Sequence, residues 1–174
     1  GVDLILAAYQ RARTQLPDGA VRLVVAGAGP KTDALRAQAG DGVSFLGNLD
    51  RREVLPRLYA SADAFVFSSV TETLGLVILE AMASGLPVIA APAGGVADHL
   101  RDDLNGLAYP AGDVEAMARA MIALALQRDR AATLGAGARS TAEALDWSHE
   151  LDRLDDSYRE VIARHGASPV AASA

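Results

Sequence analysis

The chain has 174 residues, 51% hydrophobic and 22% charged, with a formal net charge of −6 and no cysteine. That is apolar material for one substantial core and one domain. The acidity argues against a nucleic-acid surface, which needs clustered Lys and Arg, and Lys31 is the single lysine. Disulfides, thiolate nucleophiles and cysteine-ligated zinc are excluded. No apolar run approaches the ~20 residues of a membrane span, and no cationic start leads into an apolar stretch, so a cytoplasmic setting is expected.

An amphipathic helix is expected from about Val2 to Gln15, then a strand at Val21–Ala26, a helix at Thr32–Gln38, a strand at Val43–Leu46, a helix at Arg51–Ala60 and a strand at Asp63–Phe67. The pattern continues with a helix at Leu76–Ser84, a strand at Val88–Ala91, a short helix near Val96–Leu100 and a short strand at Leu107–Tyr109. Strands alternating with helices at this spacing predict a Rossmann-like α/β fold: a parallel sheet with helices on both faces. Three helical stretches follow, Val114–Gln127, Asp129–Ala144 and Ser148–Arg164, with Met117 and Met121 read as core filler. Trp147 is expected to anchor the last helix. Residues 1–165 form the domain, and the tail from Gly166 to Ala174 has too little apolar bulk to pack and is expected to be disordered.

Ligand chemistry concentrates in residues 69–87. The loop after the strand at Ala64–Phe67 lies at the carboxyl end of a parallel strand, where open α/β sheets bind ligands. The helix that opens after Gly75 points free N–H groups and a positive dipole into the same space, so an anion belongs there. Two carboxylates flank the Gly75-Leu76 step, Glu72 before it and Glu80 within the helix. Glu80 is the one charge in a stretch that otherwise reads Leu, Val, Ile, Leu, Ala, Met. Burying it unpaired would cost several kcal/mol, roughly, unless donors meet it, and ligand hydroxyls are suitable donors. On the residues alone a plainer account stays open: Glu80 marks a solvated stripe, and Glu72 favours a helix N-terminus by its charge.

Other motifs carry less. Gly27-Ala-Gly29 after a strand, with Asp50 further on, invites a dinucleotide reading, but Thr32 stands where a third Gly would fall and Pro30 lacks an N–H. A tight turn suits both glycines. His99, His149 and His165 show no metal-ligand spacing and are expected at the surface or just behind the site. Asp98 and His99 lie near the predicted cleft in capping or solvated roles. Ser68 and Ser69 lack the Gly-x-Ser-x-Gly setting of a hydrolase nucleophile. No residue cluster requires a metal, and no cofactor is expected.

The segment Glu72-Thr-Leu-Gly-Leu-Val-Ile-Leu-Glu80, followed by Ala-Met-Ala-Ser-Gly-Leu-Pro-Val88, resembles the Glu, seven residues, Glu signature of retaining glycosyltransferases of family 4, enzymes of the GT-B fold. Val24-Val-Ala-Gly-Ala-Gly-Pro30, Val43-Ser-Phe-Leu-Gly47, Leu58-Tyr-Ala-Ser-Ala-Asp63, Gly94-Gly95, Asn105-Gly106, Tyr109-Pro-Ala-Gly-Asp113 and Trp147-Ser148 with Tyr158 fall in the family's order, so the resemblance runs from about Gly1 to His165. It implies the C-terminal, donor-binding half of a GT-B enzyme that transfers a hexosyl group from a UDP- or GDP-sugar. Glu72 would hold hydroxyls of the donor sugar and Glu80 the nucleotide ribose. The backbone at Thr73, Leu74, Gly75 and Leu76 would face the diphosphate or sugar, and the backbone at Leu46 and Gly47 would read the nucleobase. Leu74 stands where many relatives carry Phe, which leaves donor identity open.

The resemblance also implies a strand before Gly1 with a Gly-Arg pair, a Lys just before Gly1, and an N-terminal domain that binds a sugar, lipid or small-molecule acceptor. None of these is in the 174 residues, so the fragment alone is expected to be inactive, and Lys31 follows a different strand. Membrane contact stays open for the longer protein. Two rival readings share the fold: another GT-B sugar-nucleotide enzyme such as an epimerase, and a non-catalytic nucleotide-binding module.

Overall fold

Strands and helices alternate as far as Asp113 because apolar runs of strand length are separated by helical patterns with turn residues between them. The computed structural model describes residues 1–145 and 147–165, so the expectation for the tail from Gly166 lies outside the described residues, as do the side chains of Trp147 and His149. The chain divides into two units, Gly1–Ala142 and Glu143–Ala174.

In order, the elements are α1 (Val2–Gln15), β1 (Leu23–Ala26), α2 (Thr32–Gln38), β2 (Val43–Gly47), α3 (Val54–Ser61), β3 (Phe65–Phe67), α4 (Leu76–Ala83), β4 (Val88–Ala90), α5 (Val96–His99), β5 (Gly106–Ala108), α6 (Val114–Leu126), α7 (Arg128–Glu143) and α8 (Trp147–His165). Helix α6 starts where Asp113 accepts a hydrogen bond from the Ala116 amide at 2.9 Å. Helix α4 stops at Gly85, whose φ of 78° lets the Leu86 amide reach back to the Ala81 carbonyl at 3.1 Å. The expected start of α3 at Arg51 is corrected to Val54. The Asp50 carboxylate takes the amides of Arg52 and Glu53 at 2.9 and 2.7 Å and holds those residues in a turn. Pro56 then falls in the first turn, where its missing N–H costs nothing.

The named strands pair in parallel, with Leu23 opposite Val43, Phe65 opposite Val88 and Val88 opposite Gly106. The single sheet expected from the alternation comes in two pieces, β1-β2 and β3-β4-β5. Leu23 donates to Gly42 and Phe65 to Pro87, each at 3.0 Å, so the intervening amides of Val24 and Val66 face away from those partners. These outer edges of β1 and β3 border one cavity of about 1290 Å³. Its remaining walls come from both sides of the core. Tyr9 and Met121 belong to the cluster built around α1 and α6, and Tyr59 belongs to the cluster with Ile78, Met82 and Val88. Met117 is fully buried and Met121 is 9% exposed, as expected of core filler.

Helix α7 packs through glycines. A Cβ on Gly135 would lie 2.3 Å from the Gly85 carbonyl oxygen, and one on Gly137 would lie 2.1 Å from that of Leu104. In the second unit, Leu151, Leu154, Tyr158 and Val161 recur at helical spacing along α8, and Arg159 pairs with Asp155 at 2.6 Å.

Candidate functional site

The loop that carries Glu72 leaves β3 at Phe67, whose carbonyl accepts a hydrogen bond from the Tyr109 hydroxyl at 2.9 Å. Burial pushes the Tyr109 pKa up to about 12, so this hydroxyl remains a donor at any physiological pH. Beyond it the loop is held by Gly94 and Gly95. The Gly95 amide donates to the Glu72 carbonyl at 2.8 Å. A Cβ on Gly94 would stand 2.4 Å from that same oxygen, and one on Gly95 would stand 2.3 Å from the Thr73 carbonyl oxygen. Only residues without side chains let the two backbones meet this closely. Among the described residues the half-buried Glu72 carboxylate makes no hydrogen bond or ion pair, and Thr73 and Leu74 are exposed.

Gly75 adopts the left-handed conformation, with φ 71° and ψ 42°, and turns the chain into α4. The first-turn amides of Leu76 and Val77 then have no acceptor within the helix. Ile78, Ala81 and Met82 are buried, which leaves the Glu80 side chain 33% exposed as the polar point of α4. Donors meet it within the chain: the Arg51 guanidinium on Oε1 and the Tyr59 hydroxyl on Oε2 at 3.3 Å. Burial, and then the Glu80 charge beside it, raise the Tyr59 pKa to about 12. No local motif marks Arg51 or Tyr59 as partners of Glu80. The available signal was the lone carboxylate on an apolar helix, which demanded donors from somewhere.

Leu46 and Gly47 lie at the carboxyl end of β2. The Leu46 side chain is 46% exposed, and the Gly47 carbonyl accepts from the Gly27 amide at 2.7 Å. The Gly29 amide is taken by the Thr32 hydroxyl at 2.8 Å, so Gly29–Thr32 is a tight turn closed on itself, while Gly27 bonds across to Gly47. The large cavity is lined by Asn48, Leu49, Arg51, Ser69 and Glu80, but not by Glu72, Thr73, Leu74, Gly75 or Leu76. The two carboxylates therefore occupy different surroundings, Glu72 against the Gly94–Gly95 turn and Glu80 at the cavity.

The solvated role expected of His99 is corrected. His99 is 8% exposed, and its Nε2 is buried without a hydrogen-bond partner among the described residues, because α5 turns it toward the core beside Val96 and Leu100. Asp98 is exposed. Among the described residues no group of three or more His, Cys, Asp or Glu could hold a metal ion, and no helix is long and apolar enough to cross a membrane.

The sulfoquinovosyl transferase of Arabidopsis thaliana is 39% identical over 167 residues, covering 93% of this chain and 32% of the relative. A GDP-mannose-dependent alpha-(1-6)-phosphatidylinositol monomannoside mannosyltransferase of Mycobacterium tuberculosis is 36% identical over 172 residues, 91% of this chain and 44% of the relative. Among solved structures, the pneumococcal O-GlcNAc transferase GtfA in complex with UDP and GlcNAc superposes with a TM-score of 0.77 at 25% identity, covering 92% of this chain and 33% of that one. The chain thus spans less than half the length of these relatives. The sequence profile of Glycosyl transferases group 1 matches residues 1–127, and with the α/β fold and these relatives it establishes that the chain belongs to that family.

Proposed function

We propose that this chain is the C-terminal, donor-binding domain of a retaining family 4 glycosyltransferase that moves a hexosyl group from a UDP- or GDP-sugar to an acceptor. The observation that carries the reading is the Glu72 carboxylate, free of partners among the described residues, on a loop clamped by Gly94 and Gly95 beside the open amides of α4. In this reading Glu72 orients the sugar through its hydroxyls, and the amides and dipole of α4 offset the charge that develops on the leaving diphosphate. Glu80 receives the ribose. Transfer with retention proceeds by front-face attack of the acceptor, without a protein nucleophile. Relatives named for GDP-mannose dependence and for a complex with UDP support a nucleotide-sugar donor.

The acceptor would bind mainly to a second domain, in keeping with the greater length of the relatives. A strand leading into Gly1 would run through the cavity between β1 and β3, since a Cβ on Gly1 would stand against Ser68 at the carboxyl end of β3. It would then join α1 and β1 as a β-α-β unit.

Glu72→Gln tests the assignment in the full-length protein with a UDP- or GDP-sugar donor. Turnover should fall about 100-fold, as for loss of one transition-state contact, while stability changes by less than about 0.5 kcal/mol. Unchanged turnover would sink the role given to Glu72.

A further inference from the structure

Both oxygens of Glu80 are engaged before any ligand arrives, and the two donors that hold them differ in kind. Tyr59 is 8% exposed and packs edge-to-face on Phe65, with ring centroids 5.8 Å apart, so its hydroxyl approaches Oε2 from a fixed position. The Arg51 side chain is 67% exposed and reaches Oε1 from the cavity rim, on a backbone turn pinned by the Asp50 carboxylate. One donor is built into the core and the other is an exposed arm over a fixed base. An ion pair this exposed is weak and open to competition. A nucleotide ribose carries two adjacent hydroxyls, and each carboxylate oxygen has two acceptor positions, so a diol can bridge Glu80 while Tyr59 stays in place.

We propose that Arg51 is a displaceable occupant of the ribose subsite. Nucleotide binding exchanges the Arg51–Glu80 ion pair for hydrogen bonds from the ribose diol, and Tyr59 is the positioning residue that keeps Glu80 aimed through the exchange. The inference rests on the reading of Glu80 as the ribose carboxylate. It makes Arg51 a brake on ribonucleotide affinity, because only a nucleotide that carries the diol must displace the guanidinium from Glu80.

Calorimetric titration of the full-length protein tests this, using UDP or GDP, whichever binds more tightly, and the 2′,3′-dideoxy form of the same nucleotide. Arg51→Ala should tighten binding of the ribonucleotide about two- to five-fold and leave the dideoxy form unchanged. Tyr59→Phe should weaken the ribonucleotide about three- to ten-fold and raise the donor KM with kcat unaltered. Equal weakening of both nucleotides by Arg51→Ala would make Arg51 a phosphate contact and overturn the proposal, as would no change at all. If neither UDP nor GDP binds, or if Glu80→Gln leaves binding intact, the donor-site reading fails and this inference with it. If Glu80→Gln weakens binding while Arg51→Ala does not tighten it, only the inference fails.

Discussion

Glu72 and Glu80 stand on the two sides of one helix start and are held by opposite means. The Glu72 loop is fixed through its backbone, by the amide of Gly95 and by glycines that let carbonyls approach where a Cβ would stand, and its carboxylate has no partner among the described residues. Glu80 is fixed through its side chain, by Arg51 and Tyr59, on a helix already locked by Ile78, Ala81 and Met82. On the proposed reading the first arrangement is preorganised to bind, and the second must trade a partner before it binds. A site that must bind a ligand and let it go can divide the tasks this way, with rigidity where charge develops and exchange where affinity is set.

The sharpest way to break the first arrangement is Gly95→Ala. The new methyl meets the Thr73 carbonyl and the Leu74 backbone rather than a side chain that can swing aside, so the Glu72 loop must shift. On the proposed reading, turnover of the full-length protein should fall about 100-fold, the usual consequence of displacing a positioning group by roughly 1 Å, with a lower melting temperature. Turnover within a factor of two of the parent would show that the clamp does not set the position of Glu72.

The second arrangement is probed through its buried phenol. Because the folded-state pKa of Tyr59 lies near 12 against an ordinary value of 10.0, the folded state holds that proton more tightly than the unfolded one. Stability from this group is fully present below pH 10 and is lost as pH rises towards 12. Tyr109 behaves in the same way. Urea unfolding followed across that window should show a decline that Tyr59→Phe and Tyr109→Phe each flatten by about 1–2 kcal/mol. An unaltered slope in both variants would remove buried tyrosine as its cause.

The smallest effect belongs to Asp50, whose carboxylate holds the turn under Arg51. Asp50→Ala should cost about 1 kcal/mol in the same unfolding measurement, comparable to a lost helix cap. If the comparison between the two carboxylates is right, it should leave the turnover ascribed to Glu72 nearly intact.

Much of this was legible in the sequence, for reasons visible in particular residues. Periodicity located α1 and α4, and the Gly85-Leu86-Pro87 stop was readable because a left-handed glycine followed by proline cannot continue a helix. The Gly94-Gly95 pair is visible in the sequence, but not what it clamps, since close approach of two backbones leaves no mark on the other partner. The start of α3 was misplaced because Asp50 captures amides locally, a competition that periodicity does not register. The division of the sheet was missed for a similar reason. Leu23-Val-Val and Phe65-Val-Phe read as strands flanked by partners on both sides, and pattern alone does not say where those partners come from. Arg51 and Tyr59 are 29 and 21 residues from Glu80, beyond the reach of any local motif.

The clamp on the Glu72 loop also bears on how such a site can change over generations. Its grip is on carbonyl oxygens, so the exposed side chains of Thr73 and Leu74 carry no part of the scaffold. Substitutions there can change the surface beside Glu72 without moving its carboxylate, whereas Gly94 and Gly95 admit almost none. On the proposed reading, the position of the carboxylate is thereby kept apart from the identity of its neighbours.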